Sequence, residues 1–439
     1  MLDYWTYTSP YRNMIVGVDT KVPLSNGEYS TYINFDNAAT TPPFVSVLKE
    51  IIDFSPWYSS INRGKGYKSQ ISSNLYENSR KIVLNFVKAD EKYNTVIYVK
   101  NTTEGINKLS YRLCDKNNEC VILSTSMEHH SNDLPWRDKY KLDYIKLDKN
   151  GRLSMEDLEQ KLINYKGHVK LVTISGASNV TGFLNPIYDV ARLAHQYGAK
   201  ILVDGAQLVP HVPMDMKNQD SLEHIDFLVF SAHKMYAPFG IGVLIGPKEI
   251  FKKGEPHYKG GGTVDFVTHD YVIWNDPPNN EEEGTPNVMG VVALVAAINT
   301  LNQLGMTNIE SYENSLLRYA VSSLKNIEDV ELYGDLDNLN NKVAIIPFNI
   351  KGIHHSKVAE ILSSKAGIAV RTGCFCAQPY VQELLNISKE ETLNFIKESK
   401  EKRPGMIRAS FGLYNSFFEI DYFINVLKHI VKNKNLYIN

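Results

Sequence analysis

Residues 225–242 read IDFLVFSAHKMYAPFGIG, and the reading of this stretch decides the fold. Its first half is an apolar run without the polar alternation of a half-solvated strand, which predicts a strand covered on both faces. The run ends in Ser231-Ala232-His233-Lys234, so a lysine stands at the mouth of a buried strand. Desolvation there lowers an amine's pKa and makes it a competent nucleophile or base. Upstream, Ile201-Leu202-Val203 is a second buried run and ends in Asp204-Gly205-Ala206-Gln207. A carboxylate and a lysine are therefore expected at one sheet edge.

That pair suits pyridoxal 5′-phosphate. A lysine holds the cofactor's aldehyde as an imine, while an acid near the pyridine nitrogen keeps it protonated and makes the ring an electron sink. Each residue alone has a plainer reading, Lys234 snorkelling from a strand end and Asp204 capping the next helix. The surrounding stretches favour the pair.

Strand-like runs occur at 95–99, 121–124, 144–147, 171–175, 201–204, 227–231 and 241–245, with helix-like stretches such as 154–163 and 187–197 between them. This alternation predicts an α/β fold with a mostly parallel seven-stranded sheet and a site at the strand carboxyl ends. The last run follows Lys234 too closely for a helical crossover, so it is expected to be antiparallel. After Glu281-Glu282-Glu283-Gly284-Thr285-Pro286-Asn287 the pattern becomes a long helix ended by Gly305. The expected division is a large cofactor-binding domain at 32–287, a connecting helix at 288–305, and a smaller α+β domain made of 1–31 and 306–439, with strands at 343–350 and 369–371.

With 47 Lys plus Arg against 49 Asp plus Glu and no basic stripe, nucleic acid is not an expected partner. No apolar run is long enough to span a bilayer and the first residues do not read as a secretory signal, so a cytoplasmic protein without a membrane partner is expected. The four cysteines, Cys114, Cys120, Cys374 and Cys376, are too few for a disulfide framework and are expected as thiols.

Several stretches carry chemistry. Residues 101–107, NTTEGIN, place the Thr102 and Thr103 hydroxyls and free N–H groups at a helix start, which serves either a phosphate or an ordinary cap. Ser231 and His233 are further phosphate donors. Residues 127–132, MEHHSN, offer an imidazole to stack on a ring or shuttle a proton; a zinc site needs further ligands at suitable spacing, and no metal is expected. Asn179 offers an amide to a cofactor ring oxygen or marks a turn. Arg371 and Arg408 are carboxylate clamps or partners of surface acids. Cys376, beside Gly373, Ala377 and Pro379, is a loop thiol within reach of a substrate or a small buried residue.

Asp-Gly-Ala-Gln at 204–207, Ser-Ala-His-Lys at 231–234, Gly-Thr-Pro-Asn at 284–287 and Arg-Thr-Gly at 371–373 together resemble class V aminotransferase-fold enzymes, and most closely the group II cysteine desulfurases and selenocysteine lyases. The resemblance runs from about Asn34 past Ser410 with the motifs in order. It implies the pyridoxal-phosphate-dependent transferase fold (fold type I). It also implies that Lys234 holds the cofactor, Asp204 faces the pyridinium, Gln207 lies at the phenolic oxygen and His129 stacks on the ring. Thr103, Ser231 and His233 match phosphate positions, and Thr285 matches the one supplied by the other subunit of a homodimer. Arg408 matches the substrate carboxylate clamp, with Arg371 nearby, and Cys376 the persulfide-forming cysteine.

The implied reaction takes L-cysteine to L-alanine. Cysteine displaces Lys234, the freed amine removes the Cα proton, and the Cys376 thiolate takes the sulfur as a persulfide for an acceptor protein, with His129 a candidate proton relay. Alternatives on the same scaffold are a selenocysteine lyase, a molybdenum cofactor sulfurase-like enzyme, a transaminase or lyase acting on another amino acid, or a catalytically silent interaction protein. Cys374-Phe375-Cys376 resembles molybdenum cofactor sulfurases, where close relatives have histidines before the reactive cysteine. Asn62 stands where many relatives carry histidine. The 32 residues from Cys376 to Arg408 form a longer interval than in bacterial group II enzymes. Within that interval Ser388 and Glu391 predict a capped helix running toward Pro404-Gly405 with Leu393 and Ile396 on one face. The helix shields the reactive loop or docks an acceptor, or it is a surface helix packed by those apolar residues.

Overall fold

The computed structural model describes residues 7–61, 64–113, 120–336, 338–399 and 402–437; Asn62 and Cys114 lie outside them. Seven strands form the main sheet: β1 (Asn94–Val99), β2 (Val121–Thr125), β3 (Lys141–Ile145), β4 (Val169–Ser175), β5 (Lys200–Asp204), β6 (Phe227–Ser231) and β7 (Gly242–Pro247). Their order is β1-β7-β6-β5-β4-β2-β3, with β7 antiparallel to both neighbours and the pairs from β6 to β3 parallel.

Continuous apolar sequence is explained by cover on both faces. Phe227 and Val229 point into one core with Leu202, Leu171 and helix α1 (Thr102–Leu113), while Leu228 and Phe230 point into the other with Val203, Ile174 and helix α2 (Val288–Leu304). Each such side chain contributes about 1.5–3 kcal/mol on burial. Strand β3 begins earlier than the expected 144. It is an edge strand, and its first residues, Lys141, Leu142 and Asp143, are partly solvated and lack an apolar signature.

Helix α2 is buried on nearly every side, is capped by the Asn287 side chain on the Gly290 N–H (2.8 Å), and ends at Gly305, whose φ of 81° belongs to the left-handed region. Among the described residues no single helix is long and apolar enough to cross a membrane. Each of the three glutamates before it meets a cation from another helix: Glu281 with Arg112, Glu282 with Arg80 and Glu283 with Lys108. Glu282 grips Arg80 through both oxygens (2.7 and 2.8 Å) and also accepts from Tyr76 and the Tyr98 N–H. Removing one member of a buried ion pair strands the other, which costs about 3–5 kcal/mol. Glu282→Ala is expected to lower folding stability by that amount in a denaturant titration; an unchanged midpoint would refute the pair's structural weight.

Four further strands, β8 (Val330–Leu332), β9 (Ile345–Ile350), β10 (Arg371–Gly373) and β11 (Met406–Ser410), form an antiparallel sheet ordered β8-β9-β11-β10 over a second apolar core. The expected strand at 369–371 is divided. Ile368–Ala369 pairs with Ile33–Asn34, and at Val370 the chain passes into β10. Accordingly Ile33 and Phe35 pack in the second core, whereas Ile15 packs in the first. Helices Met306–Leu324 and His355–Ala366 pack on this core, and α3 (Gln378–Leu384), α4 (Lys389–Lys397) and α5 (Phe417–Lys432) also belong to this part. Helix α4 carries the expected capping box but ends at Lys397, short of Pro404, where Glu398 turns extended. Leu393 and Ile396 are 62% and 64% exposed, so these apolar residues do not pack the helix down.

Candidate active site

Five parallel-strand ends converge on one cleft, as expected where loops leave the carboxyl edge of such a sheet. After β6 come His233 and Lys234, after β5 Asp204 and Gln207, after β4 Asn179, after β2 His129, and after β1 Thr102 and Thr103; all line the cleft with Ser231. The opposite wall is Ala38, Ala39, Arg371, Phe375, Cys376 and Arg408. Thr285 is not brought to this cleft. It lies in a separate depression with Lys100, Glu104 and Tyr258.

The start of α1 is fastened to β6, since the Thr102 N–H and hydroxyl both meet Ser231 Oγ (2.8 and 2.7 Å). Gly242 opposite has no room for a side chain, because a Cβ would lie 2.7 Å from the Asn101 backbone. Thr103 Oγ1 meets Ser131 Oγ at 2.7 Å. Ser131 donates its N–H to His129 Nδ1 (3.1 Å), which leaves the ring proton on Nε2. Burial, with the Lys234 charge nearby, pushes the His129 pKa down to about 3, so the ring is neutral. His233 is lowered to about 4 by burial and Lys234.

Burial lowers the Lys234 pKa to about 8; Asp204 opposes that shift and Arg408 adds to it. The Asp204 carboxylate is buried, accepts the Ala206 N–H (2.9 Å), and has its pKa raised by burial. Gln207 donates to Ala38 O (2.6 Å), and its Oε1 is buried without a partner. Arg408 is buried, donating to Asn179 O (2.9 Å) and Asp36 (3.0 Å) with Nε unpartnered, and Arg371 is 3.6 Å from Asp36. Burial brings the Arg408 pKa down to about 10 against the pull of Asp36. Asn179 donates its side-chain N–H to Phe375 O (2.7 Å). Phe375 and Cys376 both have positive φ (53° and 56°), a conformation costing about 1–2 kcal/mol per L-residue. Cys376 is exposed, and burial raises the Cys374 thiol pKa.

Sequence reasoning passed over Asp36, Glu128 and His130. Glu128 is buried and accepts from Thr125, Asn132 and both the N–H and hydroxyl of Ser175 (2.6–3.0 Å), tying the His129 turn to β4. Its acidic type beside two histidines was the available signal. A His195–His224–Asp226 cluster lies at the other end of the strands, but Asp226 already accepts from Lys200 (2.7 Å), His195 (2.8 Å) and the Ile201 N–H (2.9 Å) and reads as a structural hub.

An amine of lowered pKa, a buried carboxylate and a hydroxyl-lined helix start form a donor set that fits a phosphorylated, protonatable aldehyde cofactor. The family model described as Aminotransferase class-V matches residues 33–423. The chain belongs to the class-V aminotransferase family. Pyridoxal 5′-phosphate is the cofactor of this class-V chain. The unpartnered Gln207 Oε1 and the lightly bonded Asp204 carboxylate are the polar atoms such a ring would use. Relatives of the chain include a probable cysteine desulfurase of Halalkalibacterium halodurans, 35% identical over 90% of this chain and 92% of that protein. One from Staphylococcus aureus (strain COL) is 36% identical over 94% of each. The apo structure of a cysteine desulfurase from Thermococcus onnurineus NA1 superposes with a TM-score of 0.81 at 33% identity, covering 94% of this chain and 97% of that one.

Proposed function

We infer that the protein is a pyridoxal-phosphate-dependent cysteine desulfurase that converts L-cysteine to L-alanine and retains the sulfur as a persulfide on Cys376. The carrying observation is that the Cys376 thiol lines the same cleft as Lys234, Asp204 and Arg408. The cofactor supplies an aldehyde that condenses with amines and a protonated ring that accepts electrons from the substrate's Cα.

The chain's own groups do the rest. Asp204 would hold the ring nitrogen's proton, Gln207 would meet the phenolic oxygen, and His129 would offer a neutral face for stacking. Thr102, Thr103, Ser231 and His233 would receive the phosphate, with a further contact from Thr285 of a second copy of the chain. Arg408, assisted by Arg371 and Asn179, binds the substrate carboxylate. Lys234 removes the Cα proton, and the Cys376 thiolate attacks the substrate sulfur. An S–S bond forms as the C–S bond breaks, and its electron pair stays with the three-carbon fragment that gains protons to become alanine.

The homodimer is supported by Thr285 standing away from its own cleft, and a sulfur-acceptor protein by the exposure of Cys376. The two cores support a large domain, a connecting helix at 288–305 and a small domain from 306 to 439, with the N-terminal boundary at 31/32 crossed by Ile15 in the first core and by Ile33 and Phe35 in the second, and the free thiols support a cytoplasmic setting.

The test is incubation of the cofactor-loaded protein with L-cysteine and a dithiol reductant. Equal alanine and sulfide are expected; cofactor absorbance that responds to other amino acids with no alanine from cysteine would sink the reading. A second outcome concerns pH. With Lys234 near 8, about a quarter of the amine is uncharged at pH 7.5, against about a thousandth for an ordinary lysine. The uncharged amine is the nucleophile, so cofactor uptake by apo-protein should accelerate with pH and level off above about 8. A rise continuing to pH 10 would contradict the lowered pKa.

A further inference from the structure

The turn that carries His129 also carries His130, which touches the reactive-cysteine segment twice. Its backbone N–H donates to the Cys376 carbonyl (2.6 Å), and its ring Nε2 accepts the Gln378 N–H (3.2 Å). Gln378 opens α3, and the residue before it, Ala377, has no side-chain oxygen with which to cap the helix. The imidazole takes that role from another loop. An accepting Nε2 needs its lone pair free, so the ring proton sits on Nδ1. Burial keeps the His130 pKa below its ordinary value, Arg137 adding to that shift and Asp133 opposing it, which maintains the neutral form.

The turn itself has little local reason to hold its shape. Phe375 and Cys376 are consecutive L-residues at positive φ. The Cys374 carbonyl is held by the Ala377 N–H (2.8 Å) and the Phe375 carbonyl by the Asn179 side chain (2.7 Å). The Cys376 N–H meets the Cys374 thiol, and the bonds to the Cys376 carbonyl and the Gln378 N–H are both made by His130. His130 does not line the cleft, so it acts through the cysteine rather than on substrate.

We propose that His130 is a positioning residue for sulfur transfer, its backbone N–H and ring nitrogen clamping the Cys376 turn so that the thiol faces the cleft. This rests on the persulfide role of Cys376 given above. The step served is unchanged: thiolate attack on the substrate sulfur.

The test compares His130→Ala, His130→Asn and His130→Gln in full-length, cofactor-loaded protein. Glutamine Oε1 reaches the place of Nε2, whereas the shorter asparagine does not. With saturating L-cysteine, alanine formation is expected to fall about 10–100-fold in the Ala and Asn variants, the scale of a misplaced reacting group, and to recover to within about threefold in Gln. KM and the absorbance change on binding L-cysteine should not move. Independently of turnover, alkylation of Cys376 by iodoacetamide should be faster in the Ala and Asn variants and near wild type in Gln. Wild-type kcat in His130→Ala, failure of Gln to rescue, or a loss confined to KM would overturn the clamp. If wild type makes no alanine, the desulfurase reading fails, while the alkylation series still decides the clamp.

Discussion

Lys234→Ala is expected to form no alanine from L-cysteine above background, a loss of more than about 10³-fold, since a positioned general base alone is worth about 10²–10⁴. In the proposed function one amine both holds the cofactor and moves the Cα proton, and burial, which brings its pKa to about 8, suits it to both. No other lysine lines the cleft among the described residues. The visible absorbance of lysine-held cofactor should disappear with the activity. Removing a desolvated charge relieves the fold, so the melting temperature of the apo-protein should not fall. Turnover within tenfold of wild type would reassign the base.

Cys376→Ala is expected to abolish alanine and sulfide formation from L-cysteine by more than about 10²-fold, while the absorbance change on binding the amino acid persists. Alanine and cysteine have the same difficulty at a φ of 56°, so the substitution removes the nucleophile and leaves the backbone strain as it was. Mass spectrometry of wild type treated with L-cysteine, without reductant, should find one added sulfur on the peptide bearing Cys376 and none in the variant. An added sulfur on Cys374 instead would move the acceptor two residues along the loop.

The parts legible in the sequence were those set by local pattern. Runs such as Phe227 to Phe230 are apolar at every position because both sheet faces are covered, and the chemistry at each run's end then falls on one edge. Strand β3 was misplaced because an edge strand has solvated positions, and the break at Val370 was invisible because two short strands of different sheets abut there. Partners far apart in the chain left no trace. Nothing in Glu281-Glu282-Glu283 announces Arg112, Arg80 and Lys108, and nothing in His130 announces Gln378. Of the two readings of α4, a helix that shields the reactive loop or docks an acceptor and a surface helix packed by its apolar residues, the second fails because Leu393 and Ile396 meet solvent; periodicity reports a stripe and not what covers it.

Asp36 is shared by two guanidinium groups, Arg408 at 3.0 Å and Arg371 at 3.6 Å. Two positive charges against one negative leave the substrate end of the cleft one anion short, with Arg408 Nε buried and unpartnered. An amino acid makes up that deficit with its α-carboxylate. Cysteamine, the same thiol and amine without the carboxylate, cannot, and would leave Arg408 Nε buried without an acceptor. If Arg408 is the carboxylate clamp proposed above, charge rather than shape sets the preference for amino acids over simple amines, and cysteamine is expected to be a poor substrate beside L-cysteine.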